Sequence, residues 1–196
     1  MRLLRLFYRG FTWRRKTKEK LIYLTFDDGP SPELTPLILD LLDEYGWKAT
    51  FFCTGEKVQK HPELYAEILN RGHRMGNHTF SHLSGFAVGI DEYLADVRKA
   101  QEYIDSNLFR PPYGRIRLGQ KKQIKQDYEI VMWDLLTCDY SKKLTPEAIL
   151  NKIKRQSRKG SIVLFHDSLK ARNNVLAVLP RAIEFWNGEG YRPALL

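Results

Sequence analysis

Two adjacent carboxylates, Asp27 and Asp28, end the first apolar run of the chain. Residues 21–26 have the composition of a buried strand, and Gly29-Pro30 interrupts the run directly after the two acids. Two carboxylates this close raise the pKa of one member unless a cation lies beside them. A surface Asp-Asp-Gly turn is the simpler interpretation. The choice between turn and site depends on whether the rest of the chain supplies partners for the pair.

Two histidines, His78 and His82, have a spacing that suits metal binding. On a helical turn, residues four apart project from the same side, so the two imidazoles could hold one divalent ion. Pairs at this spacing also arise by chance. With Asp28 as a third ligand, the set would leave open coordination positions, as in metal sites that carry out hydrolysis. Asp27 would then remain free to act as a base.

Strand-like and helix-like segments alternate along the whole chain. The strands are predicted at residues 21–26, 48–53, 74–77, 108–110, 129–136, 161–165 and 191–195. The helices are predicted at residues 34–45, 61–70, 91–105, 116–126, 145–158 and 173–186, with Ser31 and Thr145 as N-caps. This alternation predicts an α/β fold with a parallel sheet covered by helices.

The positions of the polar residues favour a barrel over an open doubly wound sheet. Candidate reactive residues follow five of the predicted strands, namely Asp27 and Asp28, His78 and His82, Arg110, Asp139, and His166 with Asp167. Side chains at the carboxyl ends of many strands converge on one point only when the sheet is strongly curved or closed. We therefore expect a distorted, seven-stranded, TIM-like (β/α) barrel.

The positive charge is concentrated at the N-terminus. The chain has 196 residues, which suits one domain, and a formal charge of +9. Residues 1–20 contain eight basic residues and one acid, a local charge of +7, which leaves about +2 for the rest. A nucleic-acid-binding fold would instead distribute its basic residues along one face of the domain. We expect no nucleic-acid partner, a basic arm at residues 1–19 and a catalytic domain at residues 20–196.

The arm has a helical pattern. Arg2, Arg5 and Arg9 share one side at helical spacing, and the opposite side carries Leu3, Leu4, Phe7 and Phe11. Such a segment could pack on the protein itself, or residues 1–15 could contact an anionic membrane surface. It lacks the features of a signal peptide, and no apolar run reaches the length of a membrane span. These features predict a cytoplasmic location, with peripheral contact to the inner membrane as an option.

Four segments of the chain resemble the motifs of the polysaccharide deacetylase, or NodB-like, family, which is carbohydrate esterase family 4. They are TFDDGP at residues 25–30, HTFSH at 78–82, RPPYG at 110–114 and LFH at 164–166. Their order and spacing match that family, and the resemblance covers about residues 20 to 196. It implies a distorted (β/α) barrel and metal-dependent removal of an acetyl group from a sugar.

The resemblance also implies residue roles. Asp28, His78 and His82 would hold one divalent ion, expected to be Zn²⁺, with Co²⁺, Ni²⁺ or Mn²⁺ as alternatives. Asp27 would be the general base, and the backbone N–H of Tyr113 would stabilise the oxyanion. These roles would require the four motifs to meet at one site.

Further roles follow from the last two motifs. His166 would protonate the departing amine, Arg110 would orient Asp27 and keep it ionised, and Asp139 would tune His166. A family motif after the fifth strand is altered here, because Leu136 replaces its first acid and Tyr140 its tryptophan. Substrate preference therefore need not follow the best-known members. By the same resemblance, Tyr113, Tyr140 and Leu164 would form the walls for a sugar or acetyl group.

The predicted function is thus hydrolysis of the acetyl group of an N-acetylated sugar in a polysaccharide, oligosaccharide or peptidoglycan. One alternative is a deformylase or deacylase of a lipid-linked or nucleotide-linked amino sugar. Another is a carbohydrate-binding relative without activity, which the presence of base, ligands and acid disfavours. The oligomeric state is left open by the sequence.

Overall fold

A single sheet of eight strands forms the centre of the protein, and the computed structural model describes residues 10–196. The strands are β1 (Leu21–Asp27), β2 (Thr50–Cys53), β3 (Arg74–Asn77), β4 (Leu108–Phe109), β5 (Glu129–Ile130), β6 (Leu135–Leu136), β7 (Ser161–His166) and β8 (Arg192–Pro193). The α-helices are α1 (Thr35–Glu44), α2 (Gly55–Lys60), α3 (Pro62–Asn70), α4 (Ile90–Gln101), α5 (Leu118–Ile124), α6 (Pro146–Gln156) and α7 (Arg172–Gly188). A 3₁₀ turn spans Pro112–Gly114.

The sheet is curled into a distorted barrel. Its strands follow the order β5-β4-β3-β2-β1-β7-β6, with β8 paired to the start of β1, and every pair is parallel. Strands β5 and β6 lie at opposite ends of this order, yet only residues 131–134 separate them. Five residue steps reach at most about 17 Å, whereas seven strands side by side in a flat sheet span about 29 Å. The two ends must therefore curve toward each other, which confirms the predicted barrel class.

Strand β1 is the centre of the sheet and sets the position of the site. Its register with β7 places Asp27 beside His166, and its register with β2 places Asp27 beside Phe52. All three strands are parallel, so their carboxyl ends meet at the same edge. The strand has polar residues only at its C-terminal half, and its apolar side chains Ile22, Leu24 and Phe26 are fully buried.

Aromatic residues fill the largest core between the sheet and its helices. Phe26 stacks on Phe51, with ring centroids 5.0 Å apart, and Trp47 stacks on Trp186 at 5.2 Å. The Trp186 indole also donates a hydrogen bond to the Ser157 hydroxyl at 2.8 Å. Within residues 10–196, no helix is long and apolar enough to cross a membrane.

The described part of the predicted arm packs along the barrel. Phe11 is buried, the Thr12 N–H donates to the Ile130 carbonyl at 2.9 Å, and the Arg15 guanidinium binds both Glu129 oxygens. Residues 1–9, which hold Arg2, Arg5 and Arg9, lie outside the described residues. The boundary proposed between an arm at 1–19 and a domain at 20–196 therefore stays a prediction.

Several local predictions differ from the structure. The single strand predicted at 129–136 is two short strands, β5 and β6, because the segment between them turns from one end of the sheet to the other. Helix α2 was not predicted, since its six residues show too little periodicity. Ser31 does not cap α1, which begins four residues later at Thr35. The Thr145 hydroxyl does cap α6, by accepting from the Ala148 N–H.

Replacement of Trp186 by alanine should destabilise the fold strongly. The side chain is fully buried and stacked, so the change should lower the free energy of unfolding by about 3–5 kcal/mol. Urea denaturation followed by far-UV circular dichroism would measure the change. Leu118→Ala, at a side chain that is 70% exposed, is the control and should change it by about 0.5 kcal/mol or less.

Candidate active site

A cavity of about 720 Å³ opens at the carboxyl ends of the strands. Eight of the ten residues predicted from the sequence line it, namely Asp27, Asp28, His78, His82, Tyr113, Tyr140, Leu164 and His166. The other two, Arg110 and Asp139, are fully buried behind this lining. The structure therefore brings all ten predicted residues to one place, although their sequence positions span 140 residues from Asp27 to His166.

Asp28, His78 and His82 form a compact group of three side chains of the types that bind metals. One ligand atom from each residue lies within 4.8 Å of the other two. The Asp28 Oδ1 atom is 3.1 Å from the His82 Nε2 atom and 3.6 Å from the His78 Nε2 atom. Ligand atoms about 2 Å from a tetrahedral metal lie roughly 3.3 Å apart, so the spacing and the donor types fit one divalent ion.

The ring of His78 is oriented by a backbone carbonyl. Its Nδ1 atom lies 2.7 Å from the Arg110 carbonyl oxygen, which can only accept, so Nδ1 carries the proton. The Nε2 lone pair then faces Asp28. Burial lowers the pKa of His78 and outweighs the nearby Asp27 and Asp28 charges, which keeps the imidazole neutral. A neutral ring with one nitrogen fixed by a hydrogen bond is what a metal ligand requires.

The loop between the two histidines is held by polar contacts rather than by a helix. The predicted helical turn at residues 78–82 is absent, because Thr79 and His82 both have positive φ angles, 65° and 58°. The Asn77 side chain accepts from the Thr79 N–H at 2.8 Å. The Asp96 carboxylate accepts from the N–H groups of Phe80 and Ser81 at 2.9 and 3.1 Å. These bonds bring His82 toward Asp28 in an irregular loop.

Asp27 is paired with a buried guanidinium. The Arg110 Nη1 atom donates to Asp27 Oδ1 at 2.6 Å and to the Thr25 hydroxyl at 2.9 Å. Its Nε and Nη2 atoms donate to the carbonyls of Val131 and Met132 at 3.2 and 2.9 Å. The other oxygen of Asp27, Oδ2, is not the one that accepts from Arg110, and it lies 3.8 Å from His78 Nε2. One oxygen of Asp27 is thus fixed while the other faces the site.

His166 is paired with Asp139 rather than with its neighbour Asp167. Its Nδ1 atom lies 2.7 Å from Asp139 Oδ1, and its backbone N–H donates to Asp139 Oδ2 at 2.7 Å. Burial alone lowers the pKa of His166, but the hydrogen bond and charge of Asp139, with Asp27 and Asp28, raise it above its ordinary value. The ring can therefore carry a proton near neutral pH and present Nε2 to the cavity.

Asp167 is buried behind the cavity and has a structural role. Its backbone N–H donates to the Asp27 carbonyl at 2.7 Å, and its carboxylate accepts from the Thr35 hydroxyl at 2.5 Å. Burial raises the pKa of Asp167 to about 7, against the opposing effects of Thr35 and Lys57. Asp167 therefore connects the ends of β1 and β7 to the start of α1.

Aromatic and apolar side chains form the walls of the cavity. The Tyr113 ring packs edge-on against His82 at 4.7 Å, and the Tyr140 ring packs edge-on against His166 at 4.8 Å. Leu136 and Leu164, which are paired in β6 and β7, line the wall between them. Tyr113 has a φ of 59°, and its backbone N–H donates to no group within residues 10–196. That N–H is free to donate to a substrate.

Sequence reasoning missed several residues that shape the site. The Lys57 ammonium donates to the Asp28 carbonyl at 2.6 Å and lines the cavity. The Thr25 hydroxyl accepts a hydrogen bond from Arg110, and the Asp96 carboxylate accepts from the loop between His78 and His82. Arg115 and Lys170 add two exposed cations to the cavity lining. Thr25 lies inside the first motif, but Lys57, Asp96 and Lys170 carry no local signal, because their roles arise only from tertiary contacts.

Comparison with known proteins gives consistent matches over most of the chain. The family model described as polysaccharide deacetylase matches residues 14–132. A peptidoglycan-N-acetylglucosamine deacetylase of Bacillus cereus is 35% identical in an alignment of 189 residues, and the match covers 92% of this chain and 88% of the relative. The peptidoglycan-N-acetylmuramic acid deacetylase PdaC of Bacillus subtilis is 36% identical over 155 residues, covering 76% of this chain and 32% of that protein.

A solved structure shares the fold over nearly the whole chain. It is the crystal structure of the Bc1960 peptidoglycan N-acetylglucosamine deacetylase in complex with 4-naphthalen-1-yl-N-oxidanyl-benzamide. Its TM-score is 0.91 at 32% identity, and the match covers 98% of this chain and 93% of the other. The similarity therefore extends beyond residues 14–132 to the segments that carry Asp139 and His166.

Removal of the buried guanidinium should destabilise the protein. Arg110→Met leaves the Asp27 carboxylate buried without its cation, so we expect the free energy of unfolding to fall by about 3–5 kcal/mol in urea denaturation. Arg181→Met, at an exposed ion pair with Glu147, is the matched control and should cost less than about 1 kcal/mol. Equal losses in the two variants would contradict a special role for the buried pair.

Proposed function

The chain belongs to the polysaccharide deacetylase family, and we propose that it removes the acetyl group of an N-acetylated sugar in a peptidoglycan-type glycan with one divalent metal ion. Members of this family are hydrolases that act on non-peptide carbon–nitrogen bonds. The observation that carries the proposal is the meeting of three groups in one cavity: the Asp28, His78 and His82 cluster, the Asp27–Arg110 pair and the His166–Asp139 pair.

We propose Asp28, His78 and His82 as the metal ligands. Two imidazoles and one carboxylate form a donor set that suits zinc, and Co²⁺, Ni²⁺ and Mn²⁺ are alternatives. A bound ion would supply Lewis-acid chemistry, acidifying a water molecule and polarising the acetyl carbonyl. The Lys57 ammonium on the Asp28 carbonyl, and the Arg110 carbonyl on His78, would keep two of the ligands in place.

Asp27 is proposed as the general base. Its Oδ1 atom is bound to Arg110, which fixes the carboxylate plane, whereas Oδ2 is directed toward the metal-binding cluster. A positioned carboxylate within one hydrogen bond of the attacking water can accept its proton in the transition state. The adjacent position of Asp28 places this base beside the ligand cluster.

His166 is proposed as the general acid. Its raised pKa keeps a proton available near neutral pH, and Asp139 holds the ring through Nδ1 so that Nε2 can donate. The departing group of amide hydrolysis is an amine, which must gain a proton as the C–N bond breaks. Asp139 is itself held, because the Asn174 amide donates to its backbone carbonyl at 2.7 Å.

The cavity walls are proposed to receive the acetyl group and the sugar. The free Tyr113 N–H could donate to the oxygen that gains negative charge in the transition state. Leu136 and Leu164 offer an apolar surface for the acetyl methyl, and Tyr140 offers an aromatic face for the sugar. Peptidoglycan is the proposed substrate class because the two relatives described above carry that activity in their names.

Metal content and acetate release together would test the function. We expect the purified wild type to bind about one zinc ion per chain and to release acetate from a peptidoglycan fragment or a chito-oligosaccharide. Asp27→Asn should keep the metal and lose about 10²–10⁴-fold in kcat. His82→Ala should instead lose metal affinity, which inductively coupled plasma mass spectrometry and a chelator competition would measure.

The outcomes separate the parts of the proposal. Absence of metal after zinc is supplied would overturn the ligand assignment. Bound metal without acetate release would point to a different acyl group or sugar, such as a formylated or lipid-linked amino sugar. Full activity of Asp27→Asn would remove Asp27 from the role of base.

Asp139→Asn should change the pH dependence of the reaction. The carboxylate raises the pKa of His166, so activity that needs protonated His166 persists until the pH rises through that raised pKa. Without the charge, the pKa falls and the alkaline limb of kcat/KM should move to lower pH, with a loss of about 10²-fold in kcat. An unchanged alkaline limb would mean that His166 is not the acid that titrates there.

A further inference from the structure

Three exposed apolar side chains lie on one side of the barrel, and none of them lines the cavity. Leu118 is 70% exposed, Phe86 48% and Ile90 43%. Side chains of this kind are ordinary when they are scattered singly, but a group of them indicates an interaction surface. We call Phe86, Ile90, Leu118, Lys122 and Lys125 the α5 face.

Direct contacts attach the segment that carries Phe86 and Ile90 to helix α5. The Ile90 side chain packs on the start of α5, where a Cβ built on Gly119 would lie 2.6 Å from Ile90 Cδ1. The Arg117 guanidinium donates to the Phe86 carbonyl at 2.8 Å. The buried Gln120 amide donates to the carbonyls of Gly85 and Gly89 at 2.9 and 3.2 Å. The loop that carries Phe86 is thus attached to α5, so Phe86, Ile90 and Leu118 belong to neighbouring segments of the same surface.

The same surface is strongly basic. Residues 115–126 contain five cations and no acid, namely Arg115, Arg117, Lys121, Lys122 and Lys125. On α5, Leu118, Lys122 and Lys125 share the outer side at helical spacing, opposite the buried Gln120 and Ile124. The acids nearest in sequence, Asp91, Glu92 and Asp127, reduce this charge but do not cancel it.

The N-terminal segment enters the described structure at this surface. The Lys125 ammonium lies next to Gly10, so close that a Cβ on that glycine would be 2.8 Å from it. The Lys121 ammonium lies 5.0 Å from the centre of the Phe11 ring. The nine preceding residues contain three arginines and no acid. Gly10 and Phe11, where the described structure begins, therefore lie at the edge of the α5 face.

We propose that the α5 face docks on an anionic lipid bilayer. Cations around exposed leucine, isoleucine and phenylalanine side chains match the two layers of such a surface, anionic headgroups outside and acyl chains beneath. A soluble polyanion would use the cations but would gain nothing from three exposed apolar side chains. The proposal concerns a surface outside the catalytic groups, so it goes beyond the proposed function and does not depend on it.

Docking in this way would place the cavity close to the bilayer. Arg115, the first residue of this basic stretch, lines the cavity, and its carbonyl accepts from the Gly85 N–H at 3.2 Å. The α5 face and the cavity mouth are therefore neighbours. A glycan held at a membrane surface would meet the site without release of the protein from the bilayer.

Co-sedimentation of the full chain with vesicles would test the proposal. The probes are vesicles of phosphatidylcholine with and without phosphatidylglycerol, and soluble polyphosphate as a polyanion that lacks an apolar layer. Phe86→Ser/Leu118→Ser should weaken binding to the anionic vesicles at least about tenfold and leave polyphosphate binding unchanged. Lys122→Glu/Lys125→Glu should weaken both.

A matched control uses the same kinds of substitution elsewhere. Leu69→Ser/Lys159→Glu changes a side chain that is 43% exposed on α3 and an exposed lysine before β7, and should bind within about twofold of wild type. Thermal unfolding and acetate release from a soluble chito-oligosaccharide should match wild type in every variant. If the apolar double variant misfolds, Leu118→Ser alone serves in its place.

Four results would overturn the proposal. They are no binding of the wild type to anionic vesicles, equal binding to neutral vesicles, an equal loss in the control variant, and full vesicle binding by Phe86→Ser/Leu118→Ser. The last result would instead indicate a polyanion site made by the cations alone.

Discussion

The site depends on two neighbouring carboxylates that have different partners. Asp27 is bound to the guanidinium of Arg110, whereas Asp28 lies against the imidazoles of His78 and His82. Asp27 is the last residue of β1, whereas Asp28 follows the strand with a φ of 77°, so the two side chains leave the backbone toward different surroundings. Each acid therefore has its own partners, a buried guanidinium for Asp27 and two imidazoles for the partly exposed Asp28. Loss of the Arg110 guanidinium would leave the Asp27 carboxylate as an unpaired charge at the end of a buried strand.

The curled sheet is what makes these partners available. Arg110 follows β4, three strands away from β1, yet its guanidinium reaches Asp27 and the carbonyls that follow β5. In a flat sheet, strands three places apart lie about 14 Å from each other. Curvature shortens this distance through the barrel interior, and the packing of Arg110 over the Phe52 ring, at 4.1 Å, fills the space between them. The curvature of the sheet is therefore required for the Asp27–Arg110 pair to form.

The sequence alone predicted the parts of this protein that depend on local patterns or on short motifs. The parallel α/β order, the barrel class and the grouping of ten residues followed from strand ends and four motifs. The division of residues 129–136 into β5 and β6 could not be predicted, because it results from closure of the sheet. The histidine loop is irregular for a similar reason, since Asn77 and Asp96 hold it through bonds that no local pattern reveals.

Backbone strain shows how tightly the fold specifies the site. Among the described residues, five that are not glycine have positive φ angles, namely Asp28, Thr79, His82, Tyr113 and Cys138. Four of them belong to the cluster, its loop or the cavity wall, and the fifth precedes Asp139. Such conformations cost about 1–3 kcal/mol each and persist only where surrounding contacts impose them. The Lys57 bond to the Asp28 carbonyl is one such contact. Because that bond acts on the backbone of Asp28, the geometry of the Asp28, His78 and His82 cluster depends on residues outside every motif.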